Sequence, residues 1–253
     1  MKITIAHLYP KDLNIYGDRG NIFSLVYRLK QRGIKVFIKS IGLNDPLPQG
    51  GFDLLFGGGG QDQQQQLIAS DLFKRRVVLL KAAQAGIPML TICGTYQLFG
   101  NYFQPSSGPK IKGIGIFNAY TVASKQRKIG NIIIKANPAV LHPTPYLVGF
   151  ENHSGNTFLA AATQPLGKVI LGFGNNGQDK TEGAVIHNVF GCYLHGSLLP
   201  KNPHFCDYLI KLALEKKYGP IKLEPLDDQL EWQAHAAALK RARKLARPLL
   251  KYL

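Results

Sequence analysis

Cysteine is scarce in this 253-residue chain: Cys93, Cys192 and Cys206 are odd in number and irregularly spaced. That argues against a disulfide framework or a closed zinc site and fits a reducing compartment. Long apolar runs are also missing. None approaches the roughly 18 residues of a membrane span, and the apolar run within Met1–His7 is too short for a signal peptide. A soluble, cytoplasmic protein is expected. Acidic residues are few, 15 against 31 basic ones, for a formal net charge of +16. Such a surplus attracts phosphates, nucleic acids and anionic membrane surfaces, although a solvated basic surface accounts for it equally well. Lys240, Arg241, Arg243, Lys244, Arg247 and Lys251 all follow the last acidic residue, Glu231. No zinc finger or other nucleic-acid motif accompanies them, so no nucleic-acid partner is expected. Internal repeats are absent.

Hydrophobic periodicity supplies the frame. Ile3 to Leu8 reads as a first strand, and Ile22, Leu25, Val26 and Leu29 share one face of a helix that Gly33 ends. Val36 to Ile41 predicts a second strand. Phe52 to Phe56 is continuously apolar apart from Asp53, as in a strand buried on both sides, and runs into Gly57-Gly-Gly-Gly-Gln-Asp-Gln63. A helix is expected over 64–85, closed by Gly86-Ile-Pro88, which opens the strand before Cys93. This order is that of an α/β fold, a mostly parallel sheet flanked by helices. From about residue 104 short strands dominate: Gly115–Phe117, Asn131–Lys135, Tyr146–Phe150, Thr157–Ala160 and Lys168–Gly172. They are expected to form an antiparallel extension of the same sheet. Helical character returns from His204 to Tyr218. A Pro-containing hinge, Gly219 to Pro225, then leads to a last helix over 227–246. Its acids (Asp227, Asp228, Glu231) come first and its bases last, as the helix dipole favours. Trp232, Leu239, Ala242, Ala246 and Leu249 form one apolar stripe on it. The chain thus divides into a main domain over 1–218 and a basic helical extension over 219–253.

The chemistry centres on Ile87-Pro-Met-Leu-Thr-Ile-Cys93-Gly-Thr-Tyr-Gln97. An apolar strand, a cysteine and a glycine-led helix make a nucleophile elbow, which holds a thiol at a strand tip before the N–H groups of the next helical turn. A cysteine nucleophile needs a base and oxyanion donors. Of seven histidines, His195 is best placed, because Val189-Phe-Gly-Cys-Tyr-Leu-His195-Gly repeats the pattern of an apolar run ending at a polar residue and a glycine. His187, followed by mostly apolar residues, reads as structural. The run Gly57–Gly60 lacks the Lys-Ser/Thr of a phosphate loop, and no GxGxxG follows the first strand, so neither an ATP nor a dinucleotide site is indicated. Residues 57–60 with the Gly94 N–H read better as an oxyanion hole.

Thr91-Ile-Cys93-Gly-Thr-Tyr-Gln97 together with Tyr193-Leu-His195-Gly resembles the class I glutamine amidotransferases of the cobyric acid synthase-like branch. With Asn14-Ile-Tyr-Gly-Asp-Arg-Gly-Asn21, Gly57-Gly-Gly-Gly-Gln-Asp62 and Gly149-Phe-Glu-Asn-His153, the chain is most similar to the glutaminase subunits of lipid II isoglutaminyl synthases. The resemblance covers roughly residues 2–215. It implies a flavodoxin-like amidotransferase fold and hydrolysis of L-glutamine through a Cys93 thioester, with His195 as base. Gly59 and Gly94 would bind the oxyanion, and Gln97 and Arg127 the substrate. Glu151 and His153 would shape the pocket or the route for ammonia. It further implies a heterodimer with a Mur-ligase-like subunit that amidates the D-glutamate α-carboxylate of lipid II. ATP and magnesium would then belong to that partner and no cofactor to this chain. Peripheral contact with the inner face of the cell membrane would follow from the lipid substrate. Two departures stand out. Thr91 and Thr95 replace the glycines usual beside the cysteine, and Thr95 is expected to narrow the pocket. Ser197 replaces the glutamate usual two residues after the histidine, so the third catalytic carboxylate is expected from the ligase subunit. An amidotransferase of cobyric acid or cobyrinate synthesis, and a non-enzymatic basic binding protein retaining the fold, are the alternatives.

Overall fold

The computed structural model describes residues 1–141, 143–161 and 163–246. Arg247, Leu249 and Lys251, named above, lie outside the described residues, as does one of the seven histidines, His142. Strands β1 (Lys2–Leu8), β2 (Lys35–Ile41), β3 (Leu54–Gly57) and β4 (Met89–Ile92) alternate with helices α1 (Arg19–Gln31), α2 (Asp62–Lys74) and α3 (Arg76–Gln84). The short helix α4 (Gly94–Phe99) follows β4. Strands β5 (Tyr102–Gln104), β6 (Ile111–Lys112), β7 (Ala119–Ala136), β8 (Tyr146–Leu159), β9 (Gly167–Leu171) and β10 (Thr181–Glu182) come next. The chain returns through β11 (Ala184–Ile186) and β12 (Val189–Cys192) to helices α5 (Pro203–Tyr218) and α6 (Gln229–Ala246).

The first sheet has the order β11-β12-β4-β3-β1-β2 and is parallel except at β11. All four residues of β3 and of β4 are buried, as continuous apolar strands in a sheet covered on both faces should be. The C-terminal ends of β1, β3, β4 and β12 lie side by side, so the loops that carry Asp18, Gly57–Gly60, Cys93 and His195 open onto one edge.

The antiparallel strands differ from their expected arrangement. Beyond β11 they form a second sheet, β10-β9-β7-β5-β6 with β8 on β7, instead of extending the first. The two sheets meet where Phe150 of β8 and His195 exchange backbone hydrogen bonds of 3.1 and 2.8 Å. The segments expected as separate strands, Tyr146–Phe150 and Thr157–Ala160, belong, except for Ala160, to one continuous strand, because the polar residues between them pair with β7 around a bulge. Gly115–Phe117 is not a strand. Its Ile116 and Phe117 N–H groups bond to the Phe99 carbonyl at 2.8 and 2.9 Å and so finish the end of α4. The long helix expected over 64–85 is broken at Arg75. There the guanidinium reaches Asp71 (2.7 Å) and the carbonyls of Asp45 (2.7 Å) and Gly42 (3.1 Å), tying the helix to the loop after β2.

Helix α6 packs on this chain. Its Ala242 is buried with Ile133 of β7 and Val148 of β8, and His235 Nδ1 lies 2.8 Å from the Lys201 carbonyl. Among the described residues no helix is long and apolar enough to cross a membrane.

Candidate active site

Cys93 follows β4 directly and adopts φ 50°, ψ −105°. For a non-glycine residue this backbone costs on the order of 1–3 kcal/mol. The conformation is held by the Cys93 N–H bonding to the Cys192 carbonyl (2.8 Å) and by the Gln97 N–H bonding to the Cys93 carbonyl (2.9 Å). The side chain is therefore fixed at the tip of the sheet, beside the first turn of α4. Thr91 and Thr95 fit the turn. Thr95 does not narrow the pocket as expected: it is fully buried, and its hydroxyl donates to the Gly58 carbonyl at 2.6 Å, away from the cleft.

His195 is also fully buried. Its Nδ1 lies 3.0 Å from Asp18 Oδ1, and the Tyr16 ring stands edge-on 5.0 Å away. Burial alone would lower the imidazole pKa. The hydrogen bond and charge of Asp18 outweigh it, the neighbouring Cys93 adds to them, and His195 is raised to about 10. The third carboxylate expected from a partner subunit is thus supplied within the chain. Asp18 sits in the loop after β1 and orients the ring as the acid member of a triad does, whereas Ser197 only donates to the Gly17 carbonyl. Its motif, Tyr16-Gly-Asp-Arg-Gly20, stood out in the sequence without a role. A carboxylate in a loop at a parallel strand's C-terminal end was the available signal.

Asp18 also changes the assignment of the oxyanion hole. Its Oδ2 accepts the Gly59 N–H at 2.7 Å, so that donor is committed. Gly60, one residue on, lines the cleft with Cys93, and its N lies 3.0 Å from where a Cβ on Gly94 would stand. With the Gly59 N–H committed, Gly60 and Gly94 are the glycines that remain beside Cys93 to offer N–H groups.

The cleft, of about 360 Å³, is lined among others by Tyr16, Gln65, Cys93, Gln97, Arg127 and His153. Arg127 lies at the exposed rim, donating to Asn152 Oδ1 (2.7 Å) and the Tyr16 hydroxyl (2.8 Å). Gln97 donates to the Tyr193 hydroxyl at 3.0 Å and leaves Oε1 without a donor among the described residues. Of the two residues expected in the pocket wall, His153 lines it. Glu151 lies behind His153 and accepts the N–H groups of Phe173 (2.7 Å) and Gly174 (3.0 Å). His187 is remote, in the turn between β11 and β12.

A strained cysteine, a buried His–Asp pair and paired amides on a parallel sheet define a thiol-dependent amide hydrolase. Residues 4–203 match the CobB/CobQ-like glutamine amidotransferase domain, and the chain belongs to that family; it is a glutamine-hydrolysing enzyme. It is 38% identical over 243 residues, 96% of this chain and 97% of the relative, to the GatD subunit of the glutamine-hydrolyzing lipid II isoglutaminyl synthase of Staphylococcus aureus. It is 40% identical to the corresponding Streptococcus pneumoniae subunit over 90% of this chain and 87% of that one. A probable cobyric acid synthase of Methanothermobacter thermautotrophicus is 34% identical over 56% of this chain but only 29% of its own length. The fold is similar to that of a glutamine amidotransferase from Thermotoga maritima (TM-score 0.50, 16% identity, 99% of this chain and 97% of that one).

Proposed function

We propose that this chain is the glutaminase subunit of a lipid II isoglutaminyl synthase, supplying ammonia to an ATP- and magnesium-dependent Mur-ligase-like partner. The partner amidates the D-glutamate α-carboxylate of lipid II. Full-length similarity to two such subunits supports the assignment; the strained Cys93 beside the His195–Asp18 pair is the observation that carries the chemistry. Arg127 holds the α-carboxylate of L-glutamine. Cys93 passes its thiol proton to His195 and attacks the side-chain carbonyl through Sγ, and the oxyanion takes the Gly60 and Gly94 N–H groups. His195 protonates the departing nitrogen, so ammonia leaves and a γ-glutamyl thioester remains. Water, giving its proton to His195, then attacks the thioester, and glutamate leaves as the thiol is restored. The net change is glutamine plus water to glutamate plus ammonia. Work on a lipid-linked substrate places the complex at the inner face of the membrane, where the exposed Lys240, Arg241 and Lys244 of α6 favour anionic lipid.

The test uses the assembled complex. Cys93→Ala is expected to cut glutamine-dependent amidation by roughly 10³–10⁶-fold, while ammonium salts still support the partner's reaction. Glutamine-dependent amidation at the wild-type rate would remove Cys93 from the mechanism.

A further inference from the structure

His153 points from the inner face of β8 into the cleft that holds Cys93, with its side chain 1% exposed. Its ring lies flat on Tyr193, with centroids 3.6 Å apart and planes 6° from parallel. Nδ1 is 2.9 Å from the Gly155 carbonyl, which only accepts, so Nδ1 carries the proton. Burial lowers the ring's pKa below its usual value and keeps it neutral, leaving a lone pair on Nε2. No donor among the described residues reaches that lone pair. The nearest charge is another acceptor, Glu151 Oε2 at 3.7 Å. Lys128, also buried, donates to Asn156 Oδ1 and to neither of them. Gln97 Oε1 on the same cleft is likewise without a donor. Leaving a buried acceptor unpaired is costly, so two of them on one cleft, one beside a carboxylate, call for a cationic N–H donor. Arg127 at the rim has the opposite pattern, donors suited to a carboxylate. An α-amino acid carries both complements on one carbon.

We propose that His153 binds the α-ammonium group of the substrate, with Glu151 behind it supplying negative charge, so that the cleft selects an α-amino acid amide over an amide lacking the amine. The assignment rests on the reading of the cleft as a glutaminase site and adds to it a substrate-binding residue. It is tested in the full chain carrying Cys93→Ala, which turns nothing over. Calorimetric titrations use L-glutamine and its desamino analogue, 5-amino-5-oxopentanoate. Adding His153→Phe keeps a ring on Tyr193 and removes the acceptor. Glutamine is then expected to bind roughly tenfold more weakly, the order of one hydrogen bond to a charged group, while the analogue binds as before. Equal weakening of both ligands, or of neither, overturns the assignment. A Cys93→Ala chain that binds neither ligand before His153 is touched refutes the glutaminase reading itself.

Discussion

Asp18 decides what His195 can do. Its carboxylate accepts the Nδ1–H hydrogen bond at 3.0 Å, which turns Nε2 toward the thiol and holds the imidazolium up to about pH 10. In Asp18→Asn an amide N–H can face Nδ1, which favours the wrong tautomer, and the charge that raised the pKa is gone. Turnover is expected to fall by about 10²–10⁴-fold. The alkaline limb of the rate profile, where the imidazolium loses its proton, should move from near pH 10 toward the ordinary histidine value. The stability effect has the same origin: because the folded pKa lies above the unfolded one, the contact stabilises fully below pH 6.5 and is lost as pH rises through about 10. A limb that stays in place in the variant would show that Asp18 does not set the charge of His195. Cys93 and His195 were legible in the sequence because each ends an apolar run before a glycine. Asp18 was not, since nothing in the spacing of a polar loop says which carboxylate turns inward. The place of Gly59 was hidden with it, because the structure commits that N–H to Asp18.

The glycine loop after β3 is required by space and not by backbone sign: none of Gly57–Gly60 has a positive φ. A Cβ on Gly59 would stand 2.7 Å from His195 Cε1 and 3.0 Å from Ile15 Cγ1. Gly59→Ala therefore pushes on the histidine ring itself. It is expected to cost about 1–3 kcal/mol of stability and to reduce turnover at least tenfold, since small displacements of a catalytic group are costly. Gly50→Ala is the control, because a Cβ there meets nothing within 4 Å. Melting temperature and turnover of the two variants check the point, and matching behaviour would mean that the loop simply shifts. Among the larger elements, β1, β3, β4, α1, β12 and α5 follow the hydrophobic pattern, because burial on both faces or one stripe writes itself directly into the sequence. The β7–β8 hairpin did not. Inner positions of β8 hold Glu151, which accepts backbone N–H groups, and His153, whose Nδ1 bonds a backbone carbonyl and whose ring stacks on Tyr193, so the period-two alternation is masked where the site needs polarity.

At the scale of the whole molecule, the two ends of the chain are joined through a buried charge cluster. Arg28 of α1, 1% exposed, donates to both oxygens of Asp207 on α5 at 2.6 Å and to Asp228, just before α6, at 2.9 Å. Arg32 shares Asp207 at 2.7 and 2.9 Å. Two guanidinium groups against two carboxylates make the cluster neutral, which is what allows it to be buried. Asp228→Ala leaves an excess positive charge there. A loss of about 1.5–3 kcal/mol is expected, read as a lower urea midpoint. Because Arg28 is buried, that loss should persist in high salt, where an exposed pair would be screened. Truncation after Gly219 should cost more, since it also uncovers Ile133 and Val148 beneath Ala242 and leaves His204 without Trp232. If truncation leaves the urea midpoint unchanged, α6 is no brace, and its contacts with β7 and β8 carry no weight. If stability falls but the truncated complex still binds anionic vesicles as the intact one does, the brace stands and the basic end of α6 has no part in reaching lipid. The clamp and the basic face are thus separable by experiment: one acts through buried pairs that salt barely touches, the other through exposed lysines and arginines that salt screens.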